Sequence, residues 1–141
     1  MLIDADIVLY ALSATDVRRD ACRTFLAGLG HGDRYGYAST ELIQEVVHHR
    51  LRISGDRKQA VGEARKLAAN LVVLNFDYEV LDLALDLIES DAVRGRNAVH
   101  AATALAYGIP TIASTDTAFD SIEGITRIDP TVVPPPAHGT A

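Results

Sequence analysis

This sequence predicts an α/β fold built on a mainly parallel sheet, on two observations. Short apolar runs alternate with amphipathic segments along the chain, and most intervals hold a helix, the crossover that parallel neighbours require. The 141 residues, 48% hydrophobic and 23% charged, suit one domain with one core.

Each element has a local reason. Residues 1–4 (MLID) form an apolar run ending in an acid, read as a first strand ending at Asp4, and IVLYAL continues as a short helix. From Asp16 to Gly28 a helical repeat places Val17, Ala21, Phe25 and Leu26 on one face, and the cluster Gly28, Gly30 and Gly32 stops it. A short strand over Tyr35 to Ala38 runs into Ser39 and Thr40, good N-caps for a helix from Glu41 to Arg52. In that helix Leu42, Val46 and Leu51 face the core, while Glu41, Glu45 and Arg52 need another environment. A polar helix follows from Asp56 to about Asn70. LVVLNF (71–76) reads as a buried strand, and YEVLDLALDLIES (78–90) repeats Val80, Leu81, Ala84, Leu87 and Ile88 at helical spacing, most simply as core. Asn97 to Tyr107 is an alanine-rich helix ended by Gly108, TIAST (111–115) is a strand, and ITRID (125–129) is the last strand. A proline-rich tail with little to bury follows.

Composition excludes several classes. No run approaches the roughly 20 apolar residues that span a bilayer, and MLIDADIVLYAL lacks the basic start of a secretory signal, so a cytoplasmic place of action is expected. A single cysteine, Cys22, excludes an intrachain disulfide and a cysteine-based zinc site. A net charge of −6 excludes a broad basic surface for nucleic acid. Any nucleic acid handled by this chain therefore needs positive charge from another source.

Sites in parallel sheets form beyond the carboxyl ends of the strands. Asp4 and Asp116 each end an apolar strand, and Glu45 lies one turn into a helix entered from the second strand, so three carboxylates are expected at one edge. Close like charges repel, and a hard divalent cation with oxygen ligands, Mg²⁺ or Mn²⁺, relieves them. Such an ion binds phosphate and activates water, which lets an acidic protein act on RNA. Each acid also has an ordinary structural reading as a turn or helix cap.

MLIDADIVLYAL, ASTELIQEVVHHRLR, GRNAVHAATALAYGI and IASTDTAFDSIEGITRIDP, in this order and spacing, resemble the PIN-domain ribonucleases, specifically the VapC-type toxins of bacterial toxin–antitoxin pairs. The resemblance covers residues 1–130 and leaves 131–141 as a flexible proline-rich tail. It implies a three-layer α/β/α sandwich and a Mg²⁺-dependent acidic site, with Mn²⁺ as substitute, that hydrolyses RNA. It places the first acid on Asp4, the helix-borne acid on Glu45 and the acid after the fourth strand on Asp116, with Asp4 and Asp116 as metal ligands. It further implies a homodimer that binds a cognate antitoxin, and tRNA or ribosomal RNA as substrate. The chain departs from the family pattern R-D-A-x-H-A-A at one place, reading Arg96-Asn97-Ala98-Val99-His100-Ala101-Ala102. Asn97 matches Asp in shape but brings no charge and cannot act as a base, so reduced activity is expected.

Other residues carry two readings each. Asp6 suits a water-mediated metal contact or a helix cap; Asp120, four residues after Asp116, faces the same pocket if that segment is helical. Thr115 and Ser114 orient the site or cap the next helix, and Arg94 and Arg96 meet RNA phosphate or solvent. Glu45 and His49 have metal-ligand spacing, but without a second such pair His48, His49 and His100 read as surface or packing residues. Two alternatives to a nuclease stay open. One is an inactive PIN-like module that binds RNA or protein, supported by Asn97. The other is a receiver-type signalling domain, which needs a lysine near the fifth strand where this chain has only Lys58 and Lys66.

Overall fold

The computed structural model describes residues 1–31, 34–90 and 92–132. Strand β1 (Leu2–Ile3) lies at the centre of a five-stranded parallel sheet. On one side stand β2 (Tyr37–Ser39) and β3 (Val72–Leu74), and on the other β4 (Thr111–Ala113) and β5 (Thr126–Ile128), in the order β3-β2-β1-β4-β5. Leu2 pairs with Tyr37 and Ile112, and Ile3 with Ala113, so the central strands end together.

The helices are α1 (Ala5–Leu12), α2 (Arg19–Ala27), α3 (Thr40–Ser54), α4 (Arg57–Asn70), α5 (Tyr78–Glu89) and α6 (Gly95–Ala106), with a 3-10 helix over Thr117–Ser121. Side-chain oxygens at Asp4, Ser39, Asp56 and Asp77 accept the first free N–H groups of α1, α3, α4 and α5. Gly55, in the left-handed region at φ 66°, ends α3.

Side chains alternate across a strand, and this sorts the core into two layers. Leu2 and Ile112 pack with Val80 and Ala84 of α5 and with Ala98, Ala101 and Ala102 of α6. Ile3 and Ala113 pack on the other face with Ile7 and Val8 of α1, Cys22 of α2 and Leu42 and Val46 of α3. The result is the three-layer sandwich, with small alanines letting α6 lie close to the sheet.

Four expectations need correction. Strand β1 stops at Ile3, because the Asp4 carboxylate turns the chain into α1. Val17 is 96% exposed and lies before α2, since Asp16 accepts from the Arg18 backbone and side chain and forms a turn there. Strand β3 is not buried: it is an edge strand, with Val72 and Phe76 about half exposed. In α5 only Val80 and Ala84 are buried, while Leu81, Leu85 and Ile88 face outward, because the apolar residues cover more than the one face the sheet can bury. The proline-rich tail lies, from residue 133 on, outside the described residues. No described helix is long and apolar enough to cross a membrane.

Phe119 is the largest fully buried side chain and pins the 3-10 helix into the α5/α6 layer. Phe119→Ala is expected to lower the unfolding free energy by about 3–5 kcal/mol in urea titrations, the usual cost of such a truncation.

Candidate active site at the carboxyl edge of the sheet

Asp4 follows β1 and is 5% exposed. Its Oδ1 accepts from the Ala5 N–H at 2.7 Å, and its Oδ2 accepts from the Ser114 hydroxyl at 2.6 Å. The same Ser114 oxygen accepts from the Asp116 N–H at 3.0 Å, so one buried hydroxyl joins the acids that follow β1 and β4. Asp116 caps the 3-10 helix through Oδ1, which accepts from the Ala118 N–H at 2.9 Å. Its Oδ2 accepts from the Asn97 Nδ2 at 2.7 Å. Asn97 thus stands at the site from the first turn of α6.

Glu45 arrives from α3, whose start is fixed by the Ser39 cap. Its Oε1 lies 3.7 Å from His100 Nε2 and 3.5 Å from Arg96 Nε. His100 also lies 3.6 Å from Asp4 Oδ1, which brings Asp4 and Glu45 around one imidazole. Asp4, Glu45, Asn97 and Asp116 therefore come together at the edge where the sequence places them.

The remaining candidates divide. Asp6 does not cap a helix; its Oδ2 accepts from the Thr115 N–H at 2.8 Å and from the Thr115 hydroxyl, tying α1 to the loop after β4. Its Oδ1 is buried without a partner. Asp120 is held to β5 by Arg127, whose two nitrogens donate to its carboxylate at 2.8 and 3.1 Å. That pairing, rather than the pocket, explains its place. Arg96 lies across Glu41 and Glu45, each at 3.5 Å, and Arg94 stands at the start of α6 with interactions of its own. Beside Glu45 opens a groove of about 500 Å³ lined by Leu9, His48, His49, Leu51, Arg52 and Arg96. Burial, then the Arg52 and Arg50 charges, holds the His49 imidazole below its usual range.

The electrostatics are strained. Burial, then the neighbouring Asp6 charge, pushes the Asp4 carboxyl up to about 6, against smaller opposing effects from His100, Ser114 and Ala5. The oxygen donors suit a hard divalent cation in kind. Among the described residues, however, no three Asp, Glu, His or Cys side chains are grouped closely enough to hold a metal ion. Asn97 gives one reason: its amide donates to Asp116, whereas a carboxylate there would repel Asp116 and need a cation between them.

Sequence reasoning underrated His100, which is fully buried and faces two of the site carboxylates rather than surface or plain packing. Its position three residues after Asn97 on one helix was the available signal. Ser39, the expected cap of α3, also holds the His100 ring. The receiver reading fails on topology: Lys58 and Lys66 both lie on α4, and β3 is at the sheet edge rather than beside β1 as a 2-1-3-4-5 order requires.

Residues 1–125 match the profile of the PIN domain family. A VapC ribonuclease of Mycobacterium bovis and the ribonuclease VapC13 of Mycobacterium tuberculosis are each 29% identical over 132 residues, covering 91% of this chain and 98% of theirs. Among solved structures, VapBC-1 of Haemophilus influenzae superposes with a TM-score of 0.70 at 16% identity, covering 93% of this chain and 98% of that one. VapBC2 of Rickettsia felis, bound to a promoter DNA fragment, gives 0.69 at 16% identity, covering 90% and 96%. At that identity these structures establish the fold.

The Asp4 shift fixes a pH dependence. A carboxyl raised from 3.8 to about 6 binds its proton more tightly in the folded state, so this group favours folding below pH 4 and withdraws that support as pH rises to about 6. Asp4→Asn, which still caps α1, is expected to flatten the fall in unfolding free energy of the metal-free protein between pH 4 and 6.5. Urea titrations across that range check it, and an unchanged slope contradicts the assignment.

Proposed function

The chain belongs to the PIN domain family, and on that premise we propose that it is a divalent-metal-dependent endoribonuclease, the toxin of a toxin–antitoxin pair, hydrolysing RNA phosphodiester bonds. The observation that carries the reading is the convergence of Asp4, Glu45 and Asp116, from three separate segments, around Ser114 and His100. The ribonuclease names of the two mycobacterial relatives support the activity. The VapBC-1 and VapBC2 structures support an antitoxin partner, and the resemblance supports a homodimer.

Asp4 and Asp116 would hold Mg²⁺, or Mn²⁺ in its place, with Glu45 completing the acidic set. The bound ion supplies Lewis acidity toward the scissile phosphate and a more acidic water for in-line attack. The chain's own side chains do the positioning. Ser114 sets Asp4 relative to Asp116, and Asp6 fixes the Thr115 backbone just before Asp116. RNA approaches a protein of net charge −6, so local cations matter. Arg96 and Arg52 line the groove beside Glu45 and would meet phosphates that flank the cut, with Leu9 and Leu51 offering an apolar wall to a base. Arg94 lies next to that path in sequence. Transfer RNA or ribosomal RNA is the substrate class the resemblance implies.

The Asn97–Asp116 hydrogen bond favours a second reading, an inactive module that keeps the fold and binds RNA or a protein partner. Asn97→Asp separates the two. Restoring the charge replaces a hydrogen bond by repulsion, so the metal-free variant is expected to melt lower than the parent and to gain more from added Mn²⁺. RNA cleavage in saturating Mn²⁺ should rise about 10–100-fold, the usual effect of a residue supporting a metal site. Cleavage absent from both proteins would favour the binding module.

A further inference from the structure

A buried polar atom without a partner is costly, so each one asks for an explanation. Among the described residues two side-chain atoms are in that position, Asp6 Oδ1 and His100 Nε2. The His100 ring is fully buried on α6, with Nδ1 2.7 Å from Ser39 Oγ on the far side. Its Nε2 lies between two carboxylates, 3.6 Å from Asp4 Oδ1 and 3.7 Å from Glu45 Oε1.

These neighbours fix the ring's hydrogen. Ser39 Oγ accepts the Leu42 N–H as the cap of α3 and has a hydroxyl hydrogen free to donate to Nδ1, so the carboxylates on the other side of the ring decide the tautomer. Nδ1 is then the acceptor, and the ring hydrogen sits on Nε2. The opposite tautomer would aim a bare lone pair at two carboxylates, three acceptors with no hydrogen between them. With hydrogen on Nε2, the one ring lone pair lies on Nδ1 and is taken by Ser39, so His100 offers the acidic site no metal ligand.

We propose that His100 is a positioning residue of the acidic site, directing the positive end of its Nε2–H dipole at both Asp4 and Glu45 and so setting the spacing at which acids from two different elements face a cation. The near-equal separations, both beyond hydrogen-bond range, leave Nε2 committed to neither carboxylate and facing both. The Ser39 hydroxyl is the clamp behind the ring, and because Ser39 also starts α3, one residue sets both the origin of Glu45's helix and the orientation of the donor that receives Glu45. The inference rests on the proposed metal-dependent reading only for what the acids bind.

The test uses the full chain with His100→Gln and His100→Leu. Gln presents an amide N–H toward the carboxylates and an oxygen toward Ser39, whereas Leu fills comparable space with no donor. Binding of Mn²⁺ alone, read from the electron paramagnetic resonance of the free ion without RNA, should weaken about 10–100-fold in His100→Leu. His100→Gln should recover most of that loss. Equal Mn²⁺ affinity in the parent and His100→Leu overturns the proposal, and so does a loss in His100→Gln as large as that in His100→Leu. The unaltered chain gives an independent reading by ¹⁵N NMR of the ring: Nε2 protonated and Nδ1 hydrogen-bonded as an acceptor is expected. A hydrogen on Nδ1 with Nε2 bare overturns the proposal even if His100→Leu fails to fold. If the parent binds no Mn²⁺, the metal-dependent reading fails and the NMR result alone decides the placement of His100.

Discussion

Carboxylates gathered at the ends of adjacent parallel strands repel one another, and much of the local structure is an answer to that repulsion. The strand order makes the crowding unavoidable: β1 lies between β2 and β4, so the residues that follow these three strands emerge side by side. Asp4 follows the first, Glu45 rides the helix after the second, and Asp116 follows the third. Hydrogen-bond donors surround them: the Ala5 and Ala118 N–H groups, the Ser114 hydroxyl, the Asn97 amide, Arg96 beside Glu45 and the buried His100. The compensation is incomplete at Asp4, whose carboxyl stays raised to about 6.

Capping and chemistry share the same side chains. Asp4 and Asp116 each spend one oxygen on starting a helical turn and keep the other for the site. The ordinary reading of Asp4 and Asp116 as caps is therefore correct and does not compete with the functional one. The alanines of α6 contribute at a distance: their small volume lets that helix lie against the sheet, which brings Asn97 and His100 to the edge where Asp116 and Asp4 emerge. Arg127 secures the far side by joining the Ser114 carbonyl and Asp120, so the loop carrying Asp116 is held at both ends.

Much of this was legible in the sequence, for physical reasons. Strand ends and helix starts at Asp4 and Ser39 show as a change from apolar to capping residues within one or two positions, and acids at those boundaries in a parallel α/β chain must share an edge. Position 97 was legible through the family resemblance alone. What stayed hidden depends on contacts between distant segments. His100 and Ser39 are 61 residues apart, so neither the buried role of the histidine nor the second role of the serine follows from local pattern. The exposure of Leu81 and Ile88 could not be read because α5 carries apolar residues around more than the buried face, and periodicity does not say which face the sheet covers. The diversion of Asp120 to Arg127 depends on β5 folding back beside the 3-10 helix.

The central claim is that Asp4, Glu45 and Asp116 form one cation site despite Asn97. Anomalous diffraction from crystals soaked in Mn²⁺ tests it most directly, because it locates the ion without relying on catalysis. The account predicts an anomalous peak bounded by those three carboxylates, with the Asn97 amide turned away from Asp116 to admit it. A peak elsewhere on the protein, or none at saturating Mn²⁺ with the Asn97–Asp116 hydrogen bond intact, would contradict it.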